Sequence, residues 1–283
     1  MNLPLNIDLK GKVAVVTGGG GVLCSSFAQA IAASGAKVAV LDLNEAAAKK
    51  VAENIEKDGG TAMGITTNAL EKSSLEAAKK IINDAYGRVD ILINGAGGNN
   101  PKGTTTKDYF EEADLADDSI KTFFDLDPAG VEFVFNLNFL GTLIPTQVFA
   151  MDLKDSEDAT IINISSMNAF TPLTRIPAYS GAKAAVSNFT QWLAVHFSKV
   201  GIRVNAIAPG FFLTKQNHDL LIDKDGNYTA RSQKILSQTP MDRFGSQEEL
   251  LGTLLWLLEP KASGFVTGVV VPVDGGFSAY SGV

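Results

Sequence analysis

The sequence is poor in the residues that build disulfide bonds and metal sites. Its 283 residues include one cysteine, Cys24, and only two histidines, and these show no metal-ligand spacing. A single cysteine excludes an intramolecular disulfide, which suits a reducing compartment such as the cytoplasm. The chain also lacks an excess of positive charge, because 24 basic residues face 31 acidic ones and the net charge is −7. This balance argues against nucleic-acid binding through phosphates.

Long apolar runs are absent as well. The longest candidate, 134–151, is interrupted by Asn, Gly, Pro and Gln, whereas a membrane-spanning helix needs about 18 or more apolar residues. The first residues, MNLPLNIDLKGK, show no charged start followed by an apolar core, so they do not read as a signal peptide. We therefore expect no membrane span, no secretory leader and a cytoplasmic location.

Short runs rich in β-branched residues alternate with longer helical patterns. Most runs are continuously apolar, as is typical of parallel strands covered by helices on both faces. The predicted strands are 12–17, 37–42, 61–66, 89–94, 159–165, 202–208 and 268–274. The predicted helices are roughly 24–34, 45–58, 73–86, 132–152, 177–200 and 246–258. This alternation predicts an α/β fold in a single domain, 1–283, with a doubly wound parallel seven-stranded sheet flanked by helices.

Two polar stretches, 98–130 and 211–244, interrupt the alternation. Each follows a predicted strand and should emerge at the carboxyl edge of the sheet, where open α/β sheets bind ligands. Loops of this length in a compact domain are usually lids or binding loops, and a surface insertion without a role is the alternative. We predict that both stretches help to bind substrate.

A glycine-rich loop, TGGGG at 17–21, joins the first predicted strand to the first predicted helix. Glycines let backbone N–H groups approach a pyrophosphate at the positive end of a helix, and Ser25 and Ser26 could add hydroxyl donors. Asp42 ends the second strand, where a carboxylate can bind both ribose hydroxyls of an adenosine and repel a 2′-phosphate. The glycines alone could form a plain turn; together with Asp42 they favour NAD over NADP.

Tyr179 and Lys183 lie four residues apart in a helical pattern and therefore share one face. A neighbouring ammonium and an oxidised nicotinamide both favour the phenolate and would lower the pKa of the tyrosine from its usual value near 10. Ser166 follows an apolar strand and could hold a carbonyl oxygen beside the phenol. The alternative is a solvated Tyr–Lys pair with a helix-capping serine.

These features occur together with others in a fixed order. The ordered pieces are TGGGG, Asp42, NGAGG at 94–98, NLNFLG at 136–141, ISS with YSGAK, NAIAPGFFLT at 205–214 and VPVDGG at 271–276. In this order they resemble the short-chain dehydrogenase/reductase family over essentially the whole chain. The resemblance implies a Rossmann fold with a seventh strand, a nicotinamide cofactor and an oxidoreductase activity.

The resemblance also implies site residues. The catalytic centre falls on Ser166, Tyr179 and Lys183, with Asn138 holding a water that links the lysine to solvent. The implied cofactor-binding residues are Gly18, Gly19, Gly20, Gly21, Val22, Leu23, Asp42, Leu43, Asn68, Ala69, Asn94, Gly95, Ala96, Tyr179, Lys183, Pro209, Gly210, Phe212 and Thr214. Asn68 stands where the family usually has an aspartate, so the polar contact is kept without the charge.

The glycine loop departs from the family pattern TGxxxGxG, because Val22 and Cys24 occupy its two later glycine positions. A side chain larger than glycine should keep the helix farther from the sheet. We therefore expect the pyrophosphate to rest on the backbone of 18–21, with an altered geometry. No basic neighbour in sequence suggests a reactive thiolate, so Cys24 is interpreted as packing.

The stretches TGGGGVLC, NGAGGNNPK, ISSMNAF and DGGFSAYSGV, taken together, resemble one subgroup of the family, the D-mannonate oxidoreductases, which interconvert D-fructuronate and D-mannonate. A sugar acid needs a cation for its carboxylate, and Arg175 is the first candidate, with Lys102 and Lys215 as alternatives. Candidates for binding hydroxyls are Asn99, Asn100 and Asn168. The resemblance also implies a homotetramer. Other polyols, sugar acids or 3-oxo compounds remain open as substrates, as does a non-catalytic dinucleotide-binding regulator.

Overall fold

A single parallel sheet organises the fold of the computed structural model, which describes residues 6–214 and 217–282. Its seven strands lie in the order β3-β2-β1-β4-β5-β6-β7. They are β1 (Val13–Thr17), β2 (Lys37–Asp42), β3 (Thr61–Thr66), β4 (Ile91–Asn94), β5 (Thr160–Ile164), β6 (Arg203–Pro209) and β7 (Val270–Val273). Each predicted strand is present, with ends within two residues of its predicted bounds. The doubly wound Rossmann sheet is therefore confirmed.

Helices cover both faces of this sheet. They are α1 (Val22–Ala33), α2 (Glu45–Lys57), α3 (Lys72–Tyr86), α4 (Pro128–Phe135), α5 (Gly141–Leu153), α6 (Pro177–His196), α7 (His218–Leu221), α8 (Ala230–Leu236), α9 (Leu251–Leu258) and α10 (Pro260–Ser263). Ala14 and Val16 of β1 pack into the core beneath α1, α2 and α9. Val13 and Val15 pack into the opposite core beneath α3, α5 and α6. Because alternate residues enter different cores, the strand is apolar throughout.

The predicted helix 132–152 is longer than expected and is not uniform. It runs from Pro128 to Leu153 and passes through a π-helical stretch, Asn136–Leu140, between α4 and α5. By length and composition, the whole helix from Pro128 to Leu153 could cross a membrane, and its most apolar part has a mean hydropathy of 1.3. Half of that part is buried inside the fold, and Asn138 and Thr146 hydrogen-bond within the core. We interpret it as a core helix.

Both long loops contain short helices. The 98–130 stretch holds three 3-10 turns and the first residues of α4, and the 211–244 stretch holds α7 and α8. Two predicted helices also have different ends, because 177–200 stops at His196 and 246–258 becomes α-helical only at Leu251. A 3-10 turn continues the first and precedes the second, and such turns are frequent at helix ends.

The sheet changes winding direction between β1 and β4. Thr17 and Asn94, the last residues of these strands, are paired neighbours. The chain leaves the two strands towards opposite sides, which opens a crevice at the carboxyl edge of the sheet. The glycine loop lies at this crevice, where the candidate site is found.

Candidate active site

The glycine loop is held against the loop that follows β4. Gly18 has a φ of +60°, and a Cβ there would lie 2.9 Å from the backbone of Ala96. The Thr17 hydroxyl accepts hydrogen bonds from the N–H groups of Gly95 (3.1 Å) and Ala96 (3.3 Å). Only glycine allows both the positive φ and this close approach.

Asp42 closes the other side of the loop. Its Oδ2 accepts a hydrogen bond from the N–H of Gly20 at 3.0 Å, and its Oδ1 accepts one from the N–H of Asn44 at 2.9 Å. A Cβ at Gly20 would lie 3.0 Å from that Oδ2. The carboxylate is therefore oriented by backbone donors, with lone pairs left for further hydrogen bonds.

Cys24 occupies the space between α1 and the loop after β4. A Cβ at Gly95 would lie 2.1 Å from the Cys24 sulfur, so glycine at 95 makes room for the thiol. Burial raises the pKa of the Cys24 thiol to about 12, although Lys183 acts in the opposite direction. A thiol with this pKa stays protonated, which agrees with the packing role.

The glycine loop borders a cavity of about 460 Å³ in the crevice between β1 and β4. The predicted residues that line it are Gly18, Gly21, Val22, Leu23, Asp42, Gly95, Ser166, Tyr179, Lys183, Pro209, Gly210, Phe212 and Thr214. Lining residues that the sequence had not indicated as site residues are Cys24, Gly97, Gly98, Ile164, Ser165, Phe211 and Asn217. Gly97 and Gly98 belong to the NGAGG piece, which was a signal that could have found them.

Asn94 does not face this cavity. It is buried, and its amide donates to Thr146 (2.9 Å) and to Asn163 (2.9 Å), which in turn donates to Thr190 (2.9 Å). The side chain thus joins β4 to α5, β5 and α6 within the core. Asn94 is not among the residues that line the cavity, and its predicted role in supporting the cofactor stays a prediction.

Other predicted cofactor residues do not line the cavity. They are Gly19, Gly20, Leu43, Asn68, Ala69 and Ala96. Asn68 instead forms a turn before α3, where it accepts from the N–H of Leu70 and donates to Glu71. The hydroxyls of Ser25 and Ser26 also turn away from the loop, towards the carbonyl of Val22 and the side chain of Gln247.

Ser166, Tyr179 and Lys183 meet on one wall of the cavity. Ser166 follows β5 and caps a 3-10 turn, whereas Tyr179 and Lys183 lie one turn apart on α6. Burial raises the pKa of Tyr179 above its usual value, and a hydrogen bond with Ser166 works in the opposite direction. The lowering expected from the Lys183 ammonium together with an oxidised nicotinamide stays a prediction.

Lys183 is almost fully buried, and burial lowers its pKa to about 8. Its Nζ donates to the carbonyl of Ile164 at 2.7 Å and lies 5.7 Å from the centre of the Tyr179 ring. The lysine is therefore fixed beside the phenol, and its charge varies close to neutral pH.

Asn138 lies next to this cluster, in the π-helical stretch. Its Nδ2 donates to the carbonyls of Gly98 (2.7 Å) and Val134 (2.7 Å), and its Oδ1 accepts from the N–H of Gly98 (3.2 Å). The amide thus clamps the loop after β4. The predicted water between Asn138 and Lys183 stays a prediction.

A second cavity, of about 810 Å³, shares Phe211 with the first. Asn99 and Arg175 line it, as the sequence suggested for substrate residues.

Three other substrate candidates do not line either cavity. Asn100 caps a 3-10 turn by accepting from the N–H of Lys102, whose ammonium pairs with Asp127 at 3.4 Å. Asn168 is buried, and its N–H donates to the Ser166 hydroxyl at 3.3 Å. Lys215, the third candidate cation, lies outside the described residues.

The residues at the first cavity fit a dinucleotide. The loop from Gly18 to Gly21 has no side chains to exclude a pyrophosphate, and Gly21 caps α1 without a side-chain hydrogen bond, which leaves N–H groups of its first turn for an anion. Asp42 stands where it can accept from ribose hydroxyls.

The fold and this site define the class of the protein. The profile of the family described as short chain dehydrogenase matches residues 12–225. The chain belongs to this family of oxidoreductases, as its ordered motifs predicted.

Close relatives agree with this assignment. An uncharacterized oxidoreductase from Haemophilus influenzae is 60% identical over 283 residues, which are 100% of this chain and 99% of the relative. The uncharacterized oxidoreductase UxuB from Bacillus subtilis is 53% identical over 281 residues, 99% of this chain and 100% of the relative. A solved structure with bound NAD, named provisionally as a D-mannonate oxidoreductase from Haemophilus, is 58% identical, covers 100% of both chains and has a TM-score of 0.94.

Proposed function

We propose that the protein interconverts D-fructuronate and D-mannonate with NAD as its cofactor. The observation that carries this proposal is that Ser166, Tyr179 and Lys183 meet at a glycine-lined cavity, beside a second cavity that Arg175 lines. The NAD in the related Haemophilus structure supports the cofactor, and the position of Asp42 supports NAD over NADP. That relative's name supports the substrate.

Each residue has a distinct role in this proposal. The loop 18–21 and the start of α1 would hold the pyrophosphate, and Asp42 the adenosine ribose. The bound nicotinamide supplies or accepts the hydride. In reduction, Tyr179 donates its phenolic proton to the carbonyl oxygen of the substrate, and Ser166 donates a hydrogen bond to the same oxygen as its charge develops. Lys183, when protonated, stabilises the phenolate that remains.

The carboxylate of the substrate fits the second cavity. The Arg175 guanidinium can form a two-point hydrogen bond with a carboxylate, and Asn99 on the same wall can bind a hydroxyl. A ketone beside Tyr179 and a carboxylate near Arg175 would place the substrate across the shared Phe211.

The test is NADH consumption by the purified protein with D-fructuronate, with NADPH in parallel. We expect turnover with NADH, weaker turnover with NADPH and a loss of about 10²–10⁴-fold in kcat for Tyr179→Phe. Tyr86→Phe is the control, because Tyr86 lies on α3, away from both cavities.

Each negative result has a separate meaning. Absence of turnover with retained NADH binding would contradict the substrate and favour another polyol, sugar acid or 3-oxo compound. Binding without turnover across a substrate panel would favour the non-catalytic regulator. Absence of NADH binding would contradict the cofactor as well.

We also propose a cytoplasmic homotetramer, which the resemblance to the family supports. Trp192 and Val195 of α6 are large apolar side chains that are 55% and 76% exposed, as is common at subunit interfaces. Sedimentation equilibrium should give four times the mass of one chain. A monomer mass at working concentration would argue against the tetramer.

A further inference from the structure

One face of helix α8 lines the second cavity. Arg231, Lys234 and Ile235 all contribute to its wall. They stand at positions i, i+3 and i+4, which fall on the same side of a helix. The buried Ser232 faces away and donates its hydroxyl to the carbonyl of Leu221. The helix is thus anchored with its basic face towards the cavity.

The charge of Lys234 is balanced within the cavity. Its ammonium pairs with the carboxylate of Asp108 from the 98–130 stretch. The same carboxylate also accepts a hydrogen bond from the hydroxyl of Thr174 at 2.9 Å. Lys234 and Asp108 together therefore add no net charge for a ligand.

The two arginines on the cavity wall, Arg175 and Arg231, have no carboxylate partner among the described residues, unlike Lys234. The Nε of Arg175 donates to the carbonyl of Thr105 at 3.2 Å, which fixes the side chain. Within residues 6–214 and 217–282, the terminal nitrogens of Arg175 have no acceptor, and Arg231 has neither an ion-pair partner nor a hydrogen-bond acceptor. Two exposed arginines that line the cavity thus carry uncompensated positive charge, although the protein carries a net charge of −7.

A small ligand can extend from the catalytic residues towards these arginines. Phe211 follows β6, lines both cavities and packs edge-to-face on Phe277, with 5.4 Å between the ring centres. The two cavities therefore adjoin along this ring. One end of a substrate can lie by Tyr179 while its other end enters the second cavity.

We propose that Arg231 of α8 and Arg175 of the loop before α6 both bind the substrate carboxylate, and that Arg231 determines the preference for acids over neutral polyols. This inference rests on the proposed function and adds a residue that its sequence motifs did not indicate. A guanidinium donates two parallel hydrogen bonds to a carboxylate, and the two groups carry opposite charges. A neutral hydroxymethyl group lacks the negative charge and cannot accept this pair of hydrogen bonds. Arg231 comes from the 211–244 stretch, so a bound carboxylate also links that stretch to the loop before α6.

The experiment measures binding to the NADH complex by calorimetry. D-mannonate cannot be oxidised in that complex, and D-mannitol is its neutral counterpart. We expect Arg231→Gln to weaken D-mannonate binding about 10- to 100-fold, since hydrogen bonds between charged groups contribute about 1.5–3 kcal/mol, and to leave D-mannitol binding unchanged. Arg231→Lys should recover part of the loss. The control is Lys224→Gln, an exposed cation of the same stretch that lines neither cavity, and it should behave like the wild type.

Three results would overturn the inference. In the first, Arg231→Gln weakens the binding of D-mannonate and of D-mannitol equally. In the second, Arg231→Gln weakens the binding of neither. In the third, the wild type binds D-mannose 6-phosphate more tightly than D-mannonate.

Failure of the proposed function is a different result, namely absence of D-fructuronate turnover by the wild type. In that case the same comparison is made with D-gluconate and D-galactonate against D-sorbitol and galactitol. If the wild-type protein binds no sugar acid more tightly than its neutral counterpart, the inference is wrong regardless of the reaction.

Discussion

At the residue scale, the site shows how a missing glycine is compensated. The family pattern places glycine where this chain has Cys24, and we expected the helix to move away from the sheet. Gly95 in the opposite loop provides space for the sulfur, and the larger distance between helix and sheet stays a prediction. The Cys24 side chain is 5% exposed, so the contact is part of the core. Cys24 is larger than the glycine of the family pattern, and the residue opposite it, Gly95, has no side chain.

This pair makes a prediction about coupling. Gly95→Ala should lower the free energy of unfolding by about 1–3 kcal/mol, because the new methyl group overlaps the Cys24 sulfur. The double variant Cys24→Ala/Gly95→Ala should recover part of that loss, although the carbonyl of Thr17 would still lie 2.8 Å from the new Cβ. Urea unfolding of both single variants and the double variant measures the coupling. Strictly additive effects would show that the two positions do not share one space.

At the element scale, the π-helical stretch between α4 and α5 positions the loop after β4. Asn138 in this stretch hydrogen-bonds both the N–H and the carbonyl of Gly98. A Cβ at Gly97, the neighbouring residue, would lie 3.2 Å from the Nζ of Lys183. The stretch therefore holds the loop close to the ammonium of Lys183.

We predict that Asn138→Ala destabilises this loop. The Gly98 groups would lose their partner, and a buried unpaired polar group costs about 1–3 kcal/mol. Hydrogen exchange of the peptide that covers 95–103 should become faster, and kcat should fall. Asn136→Ala is the matched control, because Asn136 lies in the same stretch and its side chain makes no hydrogen bond among the described residues. Equal exchange in both variants would remove the positioning role.

At the scale of the whole molecule, the site lowers stability. Lys183 is 5% exposed and has no carboxylate partner among the described residues, so its positive charge is buried without a counter-ion. Burial lowers the pKa of Lys183, because it disfavours the charged form. Catalytic groups are often held in such unfavourable surroundings, because burial tunes their protonation.

This penalty predicts a pH dependence of unfolding. The pKa of Lys183 is about 8 in the fold and about 10.4 in an unfolded chain, so the unfolded state binds more protons between these values. The contribution of Lys183 to stability therefore rises with pH across that window and is constant below it. The free energy of unfolding of the wild type, minus that of Lys183→Met, should increase by roughly 2 kcal/mol between about pH 7 and pH 10.

Urea unfolding at both pH values tests this, with Lys224→Met as an exposed control. A difference that does not change with pH for Lys183→Met would show that the lysine is not held in a charge-excluding environment. A similar rise for Lys224→Met would assign the effect to general charge repulsion.

The sequence by itself determined the sheet, the glycine loop and the residues Ser166, Tyr179 and Lys183. Strands and helices follow from the local spacing of apolar residues, and ordered motifs place a catalytic residue on a known element. Helix ends were less well predicted, because 3-10 and π turns depend on which backbone groups find partners beyond the helix. The chemistry proposed for this centre therefore follows from motifs that are visible without coordinates.

The tertiary structure alone decided which side chains reach the cavities. The Asn94 side chain lies in the core, and Gly95 leaves space for the sulfur of Cys24. Arg231 and Arg175 line the same cavity, although 56 positions separate them in the chain. Contacts of this kind depend on how distant segments pack, and the pKa of a group depends on its burial there. Local patterns in a sequence carry neither quantity, since both arise only when the chain closes around the site.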